Sequence, residues 1–99
     1  MFVLVAVAEH GAIIGATITS MRPEPLSHAP SAHLEVLVID ESTVRQGIGH
    51  ALLEATETES RVRGAECMTL HVFASNLRAR ALYERRGFTG ELLRYIKPL

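Results

Sequence analysis

His33-Leu34-Glu35-Val36-Leu37-Val38-Ile39 runs through Asp40-Glu41-Ser42-Thr43 and Val44-Arg45-Gln46 into Gly47-Ile48-Gly49-His50-Ala51-Leu52-Leu53. The first seven residues are rich in β-branched and aliphatic side chains and read as a strand. Strand side chains alternate, so the spacing predicts His33, Glu35, Leu37 and Ile39 on one face. After Gly47 the period changes. Ile48, Ala51, Leu52, Ala55 and Val62 recur at helical spacing, with Glu54, Glu57, Glu59 and Arg61 largely elsewhere. The helix is predicted to end near Arg63-Gly64, where glycine suits the position just past the last turn. A helix N-terminus carries unpaired amides and partial positive charge, and small residues let an anion approach them. Gly47 and Gly49 therefore mark a possible phosphate cradle; taken alone, they describe an ordinary tight strand-to-helix turn equally well.

Upstream, Phe2 to Ala8 and Ala12 to Met21 are apolar runs joined by Glu9-His10-Gly11, the pattern of a β-hairpin. Arg22 to Ala32 contains three prolines and reads as a loop. Downstream, Cys67 to Phe73 reads as a fourth strand. Asn76 suits the cap of a short helix, Leu77 to Arg86, followed by Gly87, and Leu92 to Ile96 reads as a last strand. The predicted order is β-β-β-α-β-α-β in one domain, residues 1–99: a mixed α/β (α+β) sheet with antiparallel hairpins first and a strand-helix-strand crossover after them.

Composition narrows the function. Hydrophobic residues make up 47% of 99 and charged residues 21%, the balance of a folded domain rather than a disordered chain. Ten Lys and Arg face eleven Asp and Glu, so no general charge argument favours nucleic acid or an anionic membrane. Phe2 to Ala8 is too short to span a bilayer and lacks the flanks of a signal peptide. Cys67 is the single cysteine, which excludes an internal disulfide and suits a reducing, cytoplasmic setting. His10, His28, His33, His50 and His71 show no metal-ligand spacing, so no metal is expected.

The second informative stretch is Asn76-Leu77-Arg78-Ala79-Arg80-Ala81-Leu82-Tyr83-Glu84-Arg85-Arg86-Gly87-Phe88. By itself it describes a capped amphipathic helix. In this order and at this distance from the turn at 44–50, the pair resembles the GNAT superfamily of acetyl-CoA-dependent N-acetyltransferases. The first site resembles that family's Arg/Gln-x-x-Gly-x-Gly/Ala motif, with Val44 where Arg or Gln is usual. The second matches Asn-x-x-Ala-x-x-Leu-Tyr-x-x-x-Gly-Phe. The resemblance implies a short form of the fold, lacking at its N-terminus the strand and two helices that usually precede this hairpin.

The resemblance further implies acetyl-CoA as cosubstrate and a primary amine as acceptor. Backbone groups of Leu37, Val38 and Ile39 would hold the pantetheine. The turn of Arg45, Gln46, Gly47, Ile48, Gly49 and His50 would hold the pyrophosphate, and Asn76 and Ala79 the cofactor arm. Tyr83 would protonate the departing thiolate, since a phenol with a pKa of ~10 is protonated at neutral pH. Glu35 would be the general base. His33 is a second candidate for the base, its ordinary pKa lying near neutrality. One or two of Arg78, Arg80, Arg85 and Arg86 would meet the ribose phosphate. A competing reading is a CoA-binding or interaction module of the same fold without turnover, which Val44 favours and the complete second motif opposes. Finally, Phe2 to Ala8 is apolar at both alternating sets of positions and expects cover on both faces, which predicts a homodimer.

Overall fold

The computed structural model describes residues 1–43 and 47–99. Val44, Arg45 and Gln46 lie outside the described residues, and so does the cofactor contact expected of Arg45 and Gln46. Strands β1 (Phe2–Val7), β2 (Ile13–Pro23), β3 (Pro30–Ile39) and β4 (Cys67–Leu70) form one sheet in the order β1-β2-β3-β4. The first two pairings are antiparallel and β3–β4 is parallel. Helix α1 (Ile48–Val62) makes the crossover between β3 and β4, and α2 (Leu77–Arg85) follows β4. The hairpin turn closes through Gly11, whose φ of 89° is open to glycine at little cost. Its amide donates to the Ala8 carbonyl at 2.8 Å.

The core lies between α1 and one face of the sheet. Phe2, Ala32, Leu34, Leu52 and Leu53 are its buried apolar residues, and the Arg63 guanidinium caps it 4.4 Å above the Phe2 ring. Gly15 permits close approach: a Cβ there would stand 2.8 Å from Leu52 Cδ1 and 3.1 Å from the Val38 carbonyl oxygen. The buried stripe of α1 is Gly49, Leu52, Leu53, Thr56 and Ser60. This corrects the predicted stripe, because Ala51, Ala55 and Val62 are exposed. Apolar periodicity misassigned them because two of the five residues of the true stripe are hydroxylic. Thr56 donates to the Leu52 carbonyl at 2.7 Å, so at 2.8 Å it accepts from Thr17 on β2. That bond across the helix-sheet interface lets two buried hydroxyls replace apolar packing.

Thr19 is also fully buried, and its Oγ1 is the one buried side-chain polar atom without a partner among the described residues. An unpaired buried hydroxyl costs ~1–3 kcal/mol. Thr19→Val keeps the shape and removes the hydroxyl, so we expect it to raise the thermal midpoint by a few degrees, corresponding to about 1 kcal/mol. A fall of similar size in a melting experiment would contradict this account.

Three further sequence expectations change. The loop predicted at Arg22 to Ala32 shrinks to residues 24–29, because β2 runs on to Pro23 and β3 begins at Pro30, the two strands pairing out to that end. The fourth strand stops at Leu70 rather than Phe73, because β4 pairs with β3 only from Cys67 to Leu70. The last strand predicted at Leu92 to Ile96 does not form: residues 88–99 contain no helix or strand. The observed order is thus β-β-β-α-β-α. Leu92, Leu93, Tyr95 and Ile96 are 75–87% exposed. A strand exists through its pairing, and this segment pairs with no neighbour among the described residues.

Candidate active site

The parallel pairing of Ser31–Leu34 with Cys67–Leu70 ends where β4 itself stops, while β3 runs on to Ile39. Beyond Leu34, β3 remains paired to β2 through Ile39. Its other edge, from Glu35 to Ile39, has no strand partner among the described residues. The sheet therefore opens as a wedge whose apex lies between Leu34 and Leu70. One wall is backbone from Glu35, Val36, Leu37, Val38 and Ile39, free to pair with an extended ligand.

A β-bulge sits at the apex. Ile18 pairs with Val36 and Thr19 with Leu34, leaving Glu35 as the extra residue on β3. The extra residue reverses the alternation, so the single face predicted for His33, Glu35, Leu37 and Ile39 is not observed. Leu37 pairs with Thr17, which bonds α1, and Ile39 reaches toward Gly49 of α1. His33 and Glu35 instead belong with Arg22 on the opposite face. Register slips of this kind leave no periodic signal in a sequence.

At the other end of the wedge stands the α1 N-terminus. Gly47 is its cap residue, left-handed at φ 77°, and no side chain among the described residues caps the turn. The first intrahelical bond runs from the Ala51 amide to the Gly47 carbonyl at 3.1 Å. The amides of Ile48, Gly49 and His50 therefore belong to the unpaired first turn, which also lacks an acidic residue. Gly49 also meets a packing demand. A Cβ there would lie 2.9 Å from Ile39 Cδ1 and 3.1 Å from Leu82 Cδ2. Gly49 is small so that β3, α1 and α2 can converge.

The motif of α2 has a local explanation. Asn76 Oδ1 accepts the Ala79 amide at 3.2 Å, a helix N-cap. At the other end, the Phe88 amide donates to the Tyr83 carbonyl at 3.0 Å and the Gly87 amide to the Glu84 carbonyl at 3.1 Å. Gly87 has φ 91°. This is a Schellman cap, whose usual apolar contact here is the edge-on packing of Tyr83 on Phe88, with ring centroids 5.8 Å apart. The Leu-Tyr-x-x-x-Gly-Phe spacing thus fixes the Tyr83 ring. Burial raises the Tyr83 pKa and keeps its hydroxyl protonated. Arg86 holds the same end through Glu57 of α1, with N–O distances of 3.2–3.3 Å. Arg80 bonds the Ala74 carbonyl at 2.8 Å. Of the four arginines that sequence reasoning offered a phosphate, Arg86 and Arg80 are thereby engaged within the fold.

Polar groups gather beside the apex on the sheet face away from α1. His33 is 4% exposed and its Nδ1 lies 2.7 Å from Thr69 Oγ1. The His71 ring is 5.0 Å away. Arg22 approaches Glu35 at 3.8 Å. Burial lowers the His33 pKa, Arg22 and His71 lower it further, and Glu35 opposes them. Sequence reasoning named His33 and Glu35 but not Arg22, Thr69 or His71 as neighbours. The alternation of Thr69 with His71 places them on one face; the bulge concealed which face of β3 they meet. A separate hollow of about 320 Å³ at the start of β4, lined by Cys67, Met68, Glu57 and Arg86 among others, contains none of these groups. Among the described residues no cluster of His, Cys, Asp or Glu is arranged to hold a metal ion, and no helix is long and apolar enough to cross a membrane.

The open β3 edge, the α1 N-terminus and the half-buried Tyr83 belong to a fold that has known relatives. The acetyltransferase (GNAT) family matches residues 1–88, and the chain belongs to that family. The mycothiol acetyltransferase of Beutenbergia cavernae is 37% identical over 75 residues, which cover 76% of this chain and 25% of that protein. The [ribosomal protein bS18]-alanine N-acetyltransferase of Escherichia coli K12 is 43% identical over 58 residues, 59% of this chain and 39% of that one. A putative acetyl transferase from Pyrococcus furiosus superposes with a TM-score of 0.90 at 26% identity, covering 98% of this chain and 64% of that chain. The fold is also that of AAC(6')-Iy, solved with the bisubstrate analogue CoA-S-monomethyl-acetylneamine, at a TM-score of 0.83 and 20% identity over 98% of this chain and 69% of that one. The chain thus spans about a quarter of the mycothiol acetyltransferase and under two thirds of the Pyrococcus protein.

Proposed function

We propose that this chain binds acetyl-CoA in the wedge and transfers acetyl to a primary amine by direct attack. The observation that carries the reading is the unpaired β3 edge, Glu35 to Ile39, which leads from the strand apex toward the uncapped α1 N-terminus. Pantetheine pairs along the backbone of Leu37, Val38 and Ile39 as an added strand. The amides of Ile48, Gly49 and His50 receive the pyrophosphate, with Gly47 supplying the turn. Arg45 and Gln46 join this turn on the strength of the motif. Asn76 and Ala79, at the α2 start, flank the cofactor arm. No metal takes part.

The chemistry follows from charge development. The amine nitrogen attacks the thioester carbonyl as its proton passes to Glu35. A backbone amide at the bulge stabilises the oxyanion. The C–S bond then breaks and Tyr83 donates its proton to the thiolate. The acceptors in the relatives' names, a ribosomal-protein alanine among them, are chemically diverse, so the assignment stops at a primary amine. Thiol release that depends on added amine, with acetylated product found by mass spectrometry, tests the reading. Binding of acetyl-CoA without such release would leave a binding module instead.

Glu35→Gln is expected to lower kcat/KM by ~10²-fold or more and to change the acidic limb of the pH–rate profile. An unaltered acidic limb would remove Glu35 from the base role.

We place the protein in the cytoplasm and read it as a homodimer, with no nucleic-acid or membrane partner. The β1 prediction supports the dimer: Val3, Val5 and Val7 are 49–56% exposed, and Val36 and Val38 lie in register with Val3 and Val5 across β2. This bare valine face suits a two-fold contact. Sedimentation at micromolar concentration should give a dimer, and Val3→Lys/Val5→Lys a monomer; a wild-type monomer would refute the contact.

A further inference from the structure

We infer that the acceptor is an amino acid with a free carboxylate, and that Arg22 selects it by pairing with that carboxylate while Glu35 meets the amine. The inference rests on the acetyl-transfer reading and names the substrate class of the same site.

Three observations carry it. First, Arg22 and Glu35 set opposite charges side by side at the wedge apex. Arg22 Nη1 lies 3.8 Å from Glu35 Oε1, with the two side chains 46% and 36% exposed. That distance is too long for a hydrogen bond. Second, Arg22 differs from the arginines that brace the fold. Arg63 donates to Glu59 at 2.9 Å, Arg80 to the Ala74 carbonyl at 2.8 Å and Arg86 to Glu57 at 3.2 Å. Among the described residues the Arg22 guanidinium donates no hydrogen bond, so its planar fork is open to a ligand. Its backbone, by contrast, is fixed. Arg22 pairs with Ser31, and the buried Ser31 donates its hydroxyl to the Arg22 carbonyl at 2.7 Å. Ser31 and His33 precede Glu35 on β3, so the Arg22 side chain extends along that strand past His33 to reach the apex. Third, the surroundings suit an anion beside Arg22. The exposed His71 ring stands 5.0 Å from the His33 ring. Arg22 and His71 both oppose positive charge at His33, and Glu35 alone favours it.

A carboxylate beside a guanidinium is the complement of a zwitterion. An α-amino acid carries its nitrogen and its carboxylate on one carbon. Docked with nitrogen on Glu35 and carboxylate on Arg22, it completes a ring of four charges that alternate in sign. The arginine fork donates to both carboxylate oxygens at once, which fixes the nitrogen relative to the thioester. An amine without the carboxylate reaches Glu35 but is held at one point. Because the pair is partly exposed, the discrimination is roughly ten- to a hundredfold, the range of a charge-assisted hydrogen bond.

The test uses the full chain and acetyl-CoA. The standard amino acids are offered in pairs, each as the free acid and as its α-carboxamide, which share side chain and amine and differ in the carboxylate. We expect wild-type kcat/KM to favour the acids by roughly ten- to a hundredfold. Arg22→Met keeps the aliphatic length and removes the charge, and should lower that ratio by the same factor; Arg22→Lys should retain part of it. A merely structural effect of Arg22 on Glu35 or on the fold lowers both members of a pair alike and leaves the ratio unmoved. In parallel, the ¹⁵N-labelled chain is titrated with the same pairs and the Arg22 Nε–H resonance is followed. The acids should shift it saturably and the amides should not. A wild type without preference for the acids, an unmoved ratio in Arg22→Met, or an Arg22 resonance that no acid shifts would overturn the inference. Should amine-dependent thiol release fail with every compound, the resonance still decides the carboxylate contact, which separates this failure from failure of the acetyl-transfer reading.

Discussion

Tyr83→Phe is expected to lower turnover with the best amine by ~10²–10⁴-fold while acetyl-CoA binding stays nearly constant. The substitution removes one hydroxyl and leaves the ring that packs on Phe88 at 5.8 Å. The Schellman cap is formed by backbone groups of Tyr83, Glu84, Gly87 and Phe88, so α2 keeps its C-terminal end. Burial holds the Tyr83 proton more tightly than water would. The hydroxyl is therefore a donor at neutral pH, and its loss falls on the step in which the thiolate leaves. Steady-state rates beside a binding isotherm separate the two effects. Unchanged turnover would reduce Tyr83 to a packing residue. A parallel loss of binding and folding would show that the ring, rather than its hydroxyl, explains the motif.

Leu53→Ala should cost ~2–5 kcal/mol of stability. Leu53 is fully buried where α1 meets the sheet, and among the described residues the buried apolar core has four other members. A domain of this length is stable by about 5–15 kcal/mol, so the loss is a large fraction of the whole. Val62→Ala, at a site 76% exposed on the same helix, is the control and should change little. Denaturant unfolding measures both. Equal effects would mean that α1 does not pack through the face described.

These cases show what the sequence could convey. The strand-turn-helix at 33–63 was legible because its period changes from two to 3.6 at Gly47. The α2 motif was legible through its caps, Asn76 and Gly87. Three things were hidden. The α1 stripe contains Thr56 and Ser60, whose burial is compensated by hydrogen bonds that hydropathy does not register. The bulge at Glu35 is a property of pairing with β2, so local alternation placed Leu37 and Ile39 on the wrong face. Leu92 to Ile96 has strand composition without a strand beside it, and composition cannot supply a partner. Gly49 carries a packing demand that its motif does not reveal, the meeting of Ile39 and Leu82.

Titration of isotopically labelled protein with acetyl-CoA, followed by backbone amide NMR, tests the wedge most directly. The amides of Glu35 to Ile39 and of Gly47 to His50 should shift together and saturably, and CoA lacking its pyrophosphate portion should lose the second group while retaining the first. Shifts confined to the hollow beside Cys67 and Met68, or no saturable shift at either segment, would contradict the assignment of the open β3 edge and the α1 N-terminus to the cofactor.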